Sequence, residues 1–149
     1  MSPPADILLV EDNPDDAELT TAVFQRHNLT NRLLVARDGQ EALELLLGEH
    51  ARPFAFVMLD LKLPRISGHE VLKRVRADPG TRILPVIILT SSSEQQDLVE
   101  SYCNGANSYV RKPVRFDAFT RAVATLGLYW ATLNEIPDTD GAPAPTSTG

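Results

Sequence analysis

The chain has 149 residues, 43% of them hydrophobic, enough for one domain that buries most of the surface its unfolded form exposes. A formal net charge of −6 disfavours a sequence-independent grip on nucleic acid, which needs clustered Lys and Arg to displace counterions. The first basic residue is Arg26 and no apolar run approaches the ~20 residues that span a bilayer, so no secretory start and no membrane segment are expected, and a soluble cytoplasmic protein is.

Short apolar runs recur, each followed by a stretch with helical spacing, the alternation expected of an α/β domain on a parallel sheet. Ile7-Leu8-Leu9-Val10 is apolar on successive residues, as a strand covered on both faces should be. The turn Glu11-Asp12-Asn13-Pro14 follows, and Pro14 opens a helix carrying Ala17, Val23 and Phe24 inward and fading near His27-Asn28. Asp15, Asp16 and Glu18 complement the positive end of that helix, and Asp15 and Asp16 are expected to be helix-start charges, not ligands. Leu33 to Ala36 reads as the second strand, followed by Asp38-Gly39 and a helix from Gln40 to Leu47 that Gly48 stops. Phe56 to Leu59 reads as the third, central strand and ends at Asp60; the next helix bears Val71, Leu72 and Val75 and breaks at Asp78-Pro79-Gly80. The fourth strand lies within Ile83 to Leu89, with Pro85 tolerable only at its beginning. A helix from Glu94 to Asn104 follows, and Ser108 to Arg111 is the fifth strand. The last helix places Phe116, Phe119, Val123, Leu126, Trp130 and Leu133 at spacings of three and four, a stripe for the core. Residues 1–137 are expected to form the single domain, with no attached output domain; 138–149, rich in Asp, Thr, Ala, Pro and Gly, read as a disordered tail. The lone Cys103 excludes an internal disulfide and is expected to pack as a small hydrophobe. His27, His50 and His69 read as surface residues.

In an open parallel sheet ligands bind beyond the carboxyl ends of the strands, so the residues just after each strand are the functional candidates. These are Glu11 and Asp12, then Asp60, then Thr90 and Ser91, then Lys112-Pro113. Carboxylates brought together at one rim repel, and a hard divalent cation with oxygen ligands, most plausibly Mg2+, resolves the repulsion. Asp12 and Asp60 would hold it. An aspartate such as Asp60 can act as a nucleophile toward a phosphoryl group, with Lys112 and the cation supplying positive charge and Thr90 a hydroxyl donor. Taken singly, Asp12 reads as a helix cap, Asp60 as a turn former and Lys112 as a solvated cation; jointly they read as a phosphoryl-transfer site.

Four motifs in order, Val10-Glu11-Asp12-Asn13, Leu59-Asp60-Leu61-Lys62-Leu63-Pro64 with Gly68, Leu89-Thr90-Ser91, and Gly105 to Tyr109 through Lys112-Pro113, make the chain resemble bacterial response-regulator receiver domains from Ile7 to Leu133. The resemblance implies a five-stranded parallel sheet of flavodoxin-like order 2-1-3-4-5 with helices on both faces. It also implies that Asp60 is the phospho-acceptor for a sensor histidine kinase. Mg2+ would be ligated by Asp12, Asp60 and the Lys62 carbonyl, with Glu11 assisting through water. Thr90 and Tyr109 would be the switch pair, the hydroxyl moving toward the phosphoryl group while the ring turns inward, and the peptide before Pro113 would be cis. Glu11 stands where Asp is more frequent, and Ser91 where Ala or Gly is usual. Val10 to Asp16 and Tyr129 to Pro137 more narrowly resemble single-domain regulators paired with phytochrome-type kinases, a group that dimerises through the face of helix four, strand five and helix five; Ala118, Ala122, Thr125 and Tyr129 form a stripe that could serve. Two rivals fit less well. An aspartate-dependent, Mg2+-requiring phosphohydrolase would carry a second acid two residues after Asp60, where Lys62 stands, and a flavin or nucleotide binder would need a phosphate-cradling loop where Glu11-Asp12 stand.

Overall fold

The computed structural model describes residues 5–26, 31–112 and 121. Among these, five strands, β1 (Asp6–Val10), β2 (Leu33–Ala36), β3 (Phe54–Leu59), β4 (Val86–Thr90) and β5 (Ser108–Arg111), form one sheet in the order β2-β1-β3-β4-β5, every pair parallel. Four helices alternate with them: α1 (Pro14–Arg26), α2 (Gly39–Leu47), α3 (Gly68–Ala77) and α4 (Gln95–Cys103). The expected architecture and strand order are present. The expected last helix with its core stripe, the dimerisation stripe, the tail from 138, His27 and the Lys112-Pro113 peptide lie outside the described residues.

The continuous apolar runs predicted for the inner strands follow from coverage on both faces. Leu8, Val10, Val57, Leu59, Val86 and Ile88 point into a cluster closed by Ala42, Leu43 and Leu46 of α2 and Val71, Leu72 and Val75 of α3. Ile7, Leu9, Phe56, Met58, Ile87 and Leu89 point the other way, against Ala17, Val23 and Phe24 of α1. Strand β3 starts two residues earlier than expected, because Phe54 is buried against the α2 and α3 face and pairs with Asp6. Pro85 falls just outside β4, where its carbonyl still accepts from the Val57 amide at 3.0 Å. Cys103 departs from expectation: it is exposed, because α4 buries a single residue, Ser101.

Two polar devices lock the loops. Arg76 of α3 donates from its guanidinium to the carbonyls of Leu84 (2.7 Å), Arg82 (3.0 Å) and Gly105 (2.9 Å) and to Asn107 Oδ1 (2.9 Å), pinning the entry to β4 and the α4–β5 turn. Gly105, at φ 99°, ends α4 in the left-handed region that glycine tolerates. Gly68 opens α3 where the backbone folds back on the end of β3: its amide donates to the Leu61 carbonyl at 2.9 Å, and a Cβ there would stand 2.2 Å from the Asp60 carbonyl oxygen. Gly68→Ala should therefore lower the urea unfolding midpoint by the equivalent of roughly 1–3 kcal/mol with an unchanged m-value; wild-type stability of that variant would show that the loop yields freely.

Candidate functional site

The site follows from strand register. Val10 pairs with Ala36 and Leu59, Leu59 with Ile88, and Thr90 with Arg111, so the residues that end or follow β1, β3, β4 and β5 share one rim. The strand order turns back between β1 and β3, the crevice where open α/β sheets take ligands. Backbone bonds carry the row past the strand ends: the Asp60 amide donates to the Val10 carbonyl (3.1 Å) and the Lys112 amide to the Thr90 carbonyl (2.7 Å).

At this rim the Lys112 ammonium donates to Asp60 Oδ2 at 3.1 Å, to Asp16 Oδ2 at 3.0 Å and to Glu11 Oε1 in a shorter contact. Asp60 Oδ1 accepts from the Thr90 hydroxyl at 2.8 Å and from the Lys62 amide at 3.2 Å. Glu11, Asp60 and Thr90 are buried, whereas Asp12 is exposed at the mouth. Asp12 does not cap α1. Asn13 does, its Oδ1 accepting from the amides of Asp15 (2.9 Å) and Asp16 (3.2 Å), which leaves the Asp12 carboxylate free for another partner. Carboxylate oxygens of Glu11, Asp12 and Asp60 all lie within 4.8 Å of one another, an oxygen donor set that suits a hard divalent cation.

The electrostatics agree with that fit. Burial pushes the Glu11 carboxyl up to about 7, against the pull of Lys112 and with the Asp60 charge adding to the rise. Burial alone would lower the Lys112 ammonium, but the hydrogen bond it donates to Glu11, the charges of Asp60 and Glu11 and its hydrogen bond to Asp16 outweigh that and hold the pKa above its ordinary value. Lys112 is thus a fixed positive charge at neutral pH, and one ammonium pairs with three carboxylates.

Sequence reasoning anticipated the meeting of Glu11, Asp12, Asp60, Thr90 and Lys112 and missed Asp16, Ser92, Asp97 and His69. Asp16, expected to be a helix-start charge only, also pairs with Lys112, because the first turn of α1 begins at the rim. Ser92 is buried, while its neighbour Ser91, the residue singled out, is exposed. Ser92 receives the Tyr109 hydroxyl on its carbonyl oxygen at 3.2 Å, donates its amide to Thr90 Oγ1 at 3.3 Å, and donates its hydroxyl to Asp97 Oδ2 at 2.5 Å. His69, expected on the surface, is half-buried and bridges α3 to α4, its Nε2 3.1 Å from Asp97 Oδ1. A serine following a conspicuous threonine and a histidine one residue into a helix carry no spacing signal of their own.

The response regulator receiver domain profile matches residues 7–124. The chain belongs to this family. Among curated relatives it is 40% identical over 135 residues to the probable methanogenesis regulatory protein FilR2 of Methanothrix harundinacea, covering 88% of this chain and 86% of that one. The crystal structure of the Mn(2+)-bound form of response regulator Rcp1 superposes with a TM-score of 0.85 at 29% identity, covering 91% of this chain and all of the other (100%). The bacteriophytochrome response regulator AtBRR is 48% identical, with a TM-score of 0.67 over 89% of this chain and 99% of that one. The receiver-domain reading and the likeness to phytochrome-associated regulators therefore hold, and nothing found supports the phosphohydrolase alternative.

The raised Glu11 value has a sign that can be checked. A carboxyl whose folded-state pKa exceeds its ordinary one contributes stability at low pH that is lost as pH rises toward about 7. Without added cation the melting temperature should fall over that interval. Magnesium titrated at pH 8 and pH 6 should bind more tightly at pH 8, by up to about tenfold per pH unit below 7, since one proton competes for the donor set; equal affinities by calorimetry would remove Glu11 from it.

Proposed function

We propose that this receiver domain accepts a phosphoryl group on Asp60 from a sensor histidine kinase. The observation that carries this reading is the convergence on one buried aspartate of a fixed ammonium (Lys112 at 3.1 Å), a hydroxyl donor (Thr90 at 2.8 Å) and an acidic cluster with cation-binding spacing. Glu11, Asp12 and Asp60, with the Lys62 carbonyl, would hold Mg2+. When bound, the cation supplies positive charge for the phosphoryl oxygens and offsets the repulsion between the incoming phosphate and the acids.

The chain's own residues then do the following. An Asp60 carboxylate oxygen attacks phosphorus, a new O–P bond forms, and the bond from phosphorus to the donor, the imidazole nitrogen of a kinase histidine, breaks with its electron pair leaving on that nitrogen. Lys112 stays protonated and stabilises the charge on the transferring group without giving up its proton. Thr90 turns its hydroxyl from the carboxylate to a phosphoryl oxygen, and Tyr109, tied to the same loop, follows. The domain itself is a signalling acceptor, with at most self-catalysed gain and loss of its phosphoryl group. Lys62, exposed two residues after Asp60, leaves no second acid to serve a hydrolase.

The likeness to AtBRR supports a phytochrome-type kinase as the donor. The same proposal includes a homodimer through the face of α4, β5 and the last helix expected from the sequence; Val99 and Tyr102 of α4 are exposed. It also includes a cytoplasmic location and no nucleic-acid partner. Among the described residues no helix is long and apolar enough to cross a membrane.

With acetyl phosphate and Mg2+ the protein should gain one phosphoryl group, seen as a single mass increment, and Asp60→Asn should gain none. Persistent labelling of that variant would refute the assignment. Phosphotransfer compared at short times across purified kinases should favour a phytochrome-type donor; equal transfer from unrelated kinases would remove the light-sensing part of the reading.

A further inference from the structure

The segment joining β4 to α4 is held in an unusual way. Ser91, Ser93, Glu94, Gln95 and Gln96 are all exposed, and only Ser92 is buried. Helix α4 itself buries no apolar residue. Its N-cap residue, Glu94, makes no side-chain capping bond; instead Ser92 Oγ accepts from the Glu94 amide at 3.3 Å and donates to Asp97 in the first turn. Hydrophobic burial therefore does little to fix the start of α4, and polar contacts fix it.

Those contacts close a circuit. From Asp60 Oδ1 the path runs to the Thr90 hydroxyl (2.8 Å), from Thr90 Oγ1 to the Ser92 amide (3.3 Å), from Ser92 Oγ to Asp97 (2.5 Å), and from Asp97 to His69 Nε2 (3.1 Å). His69 follows Gly68, whose amide bonds the Leu61 carbonyl (2.9 Å) next to Asp60, so the circuit returns to the acceptor loop. Asp97 offers acceptors only, so His69 carries its proton on Nε2; the other ring nitrogen faces Glu100 of α4 at 3.6 Å. The bond from Ser92, then that from His69, holds the Asp97 carboxyl below its usual range, and it stays ionised as the acceptor for both.

We propose that His69 and Asp97 form a latch between α3 and α4 that holds the β4–α4 loop, and with it the Thr90 hydroxyl, in register over Asp60. The inference rests on Asp60 being the acceptor and adds two positioning residues for phosphoryl transfer. Neither belongs to the cation-binding trio, and neither reaches the reacting atoms. The latch acts through Ser92, the residue on which both Thr90 and Tyr109 converge. It therefore sets how readily Thr90 meets the phosphoryl group and how firmly α4 follows.

The test combines labelling rates with amide exchange on the full chain. His69→Ala and Asp97→Ala should each slow Asp60 labelling by acetyl phosphate by roughly three- to tenfold, as expected when a transition-state contact loses its orientation, while Mg2+ affinity by calorimetry stays at the wild-type value. The double variant should be no slower than Asp97→Ala, since both act through one contact. His69→Gln, whose side-chain amide can still donate to Asp97, should recover most of the rate. In His69→Ala the Ser92 and Glu94 amides should exchange faster. Wild-type labelling by His69→Ala, additive losses in the double variant, or no recovery in His69→Gln would each overturn the latch. A wild-type chain that takes no label would instead overturn the acceptor reading, and the Ser92 and Glu94 exchange rates would still decide whether the latch holds the loop.

Discussion

Lys112 sits among carboxylates contributed by three separate segments: Glu11 at the end of β1, Asp16 in the first turn of α1 and Asp60 at the end of β3. Burying acids this close together is costly unless a charge of the opposite sign is held among them, and a single side chain just past β5 provides it. The compensation is incomplete. With Asp12 at the mouth the rim keeps a surplus of negative charge, which is why the site has use for a cation, while burial, with the Asp60 charge adding to it, raises the Glu11 carboxyl to about 7. A closed structural ion-pair cluster would have balanced its charges, whereas this one is left short by design of its residue types.

The sheet makes that meeting possible. Because β1 and β3 are neighbours while β2 lies on the far side of β1, the loops leaving β1 and β3 part to opposite faces of the sheet and leave a crevice between them. The apolar strand interiors bury themselves on both faces and fix the register, and the register aligns the polar residue just beyond each strand. Gly68 then lets the loop after Asp60 fold tightly against the end of β3, where any side chain would collide with the Asp60 carbonyl. Fold stability and site geometry are thus the same set of contacts seen from two ends.

What could be read beforehand followed from periodicity and position. Ile7 to Val10 and Phe56 to Leu59 announce doubly covered strands by unbroken apolar runs, and the residue after each such strand is placed by topology alone, so Glu11, Asp60, Thr90 and Lys112 were legible together. Phe54 was not, because Pro53 and Ala55 interrupt the run and only burial against α2 and α3 recruits it to β3. Asp16 was read by its local effect on the helix end, a correct reading that hid a partner 96 residues away. Asp97 and His69 meet only because α3 and α4 pack side by side, a long-range fact with no trace in local spacing.

The same contrast bears on how a signal could leave the site. Helices α1, α2 and α3 are seated by buried Phe, Leu, Val and Ala side chains, and close-packed cores resist small displacements. Helix α4 has only Ser101 buried and is held at its start by hydrogen bonds that can be exchanged for others at small net cost. A phosphoryl group can shift an equilibrium only by its differential interaction with the two states, so an element held by a few exchangeable polar contacts moves where a helix with a full apolar face would not. Thr90 and Tyr109 both end on Ser92, at the root of this loosely seated helix, so a change at Asp60 reaches first the helix that, among the four described, is least committed to its place.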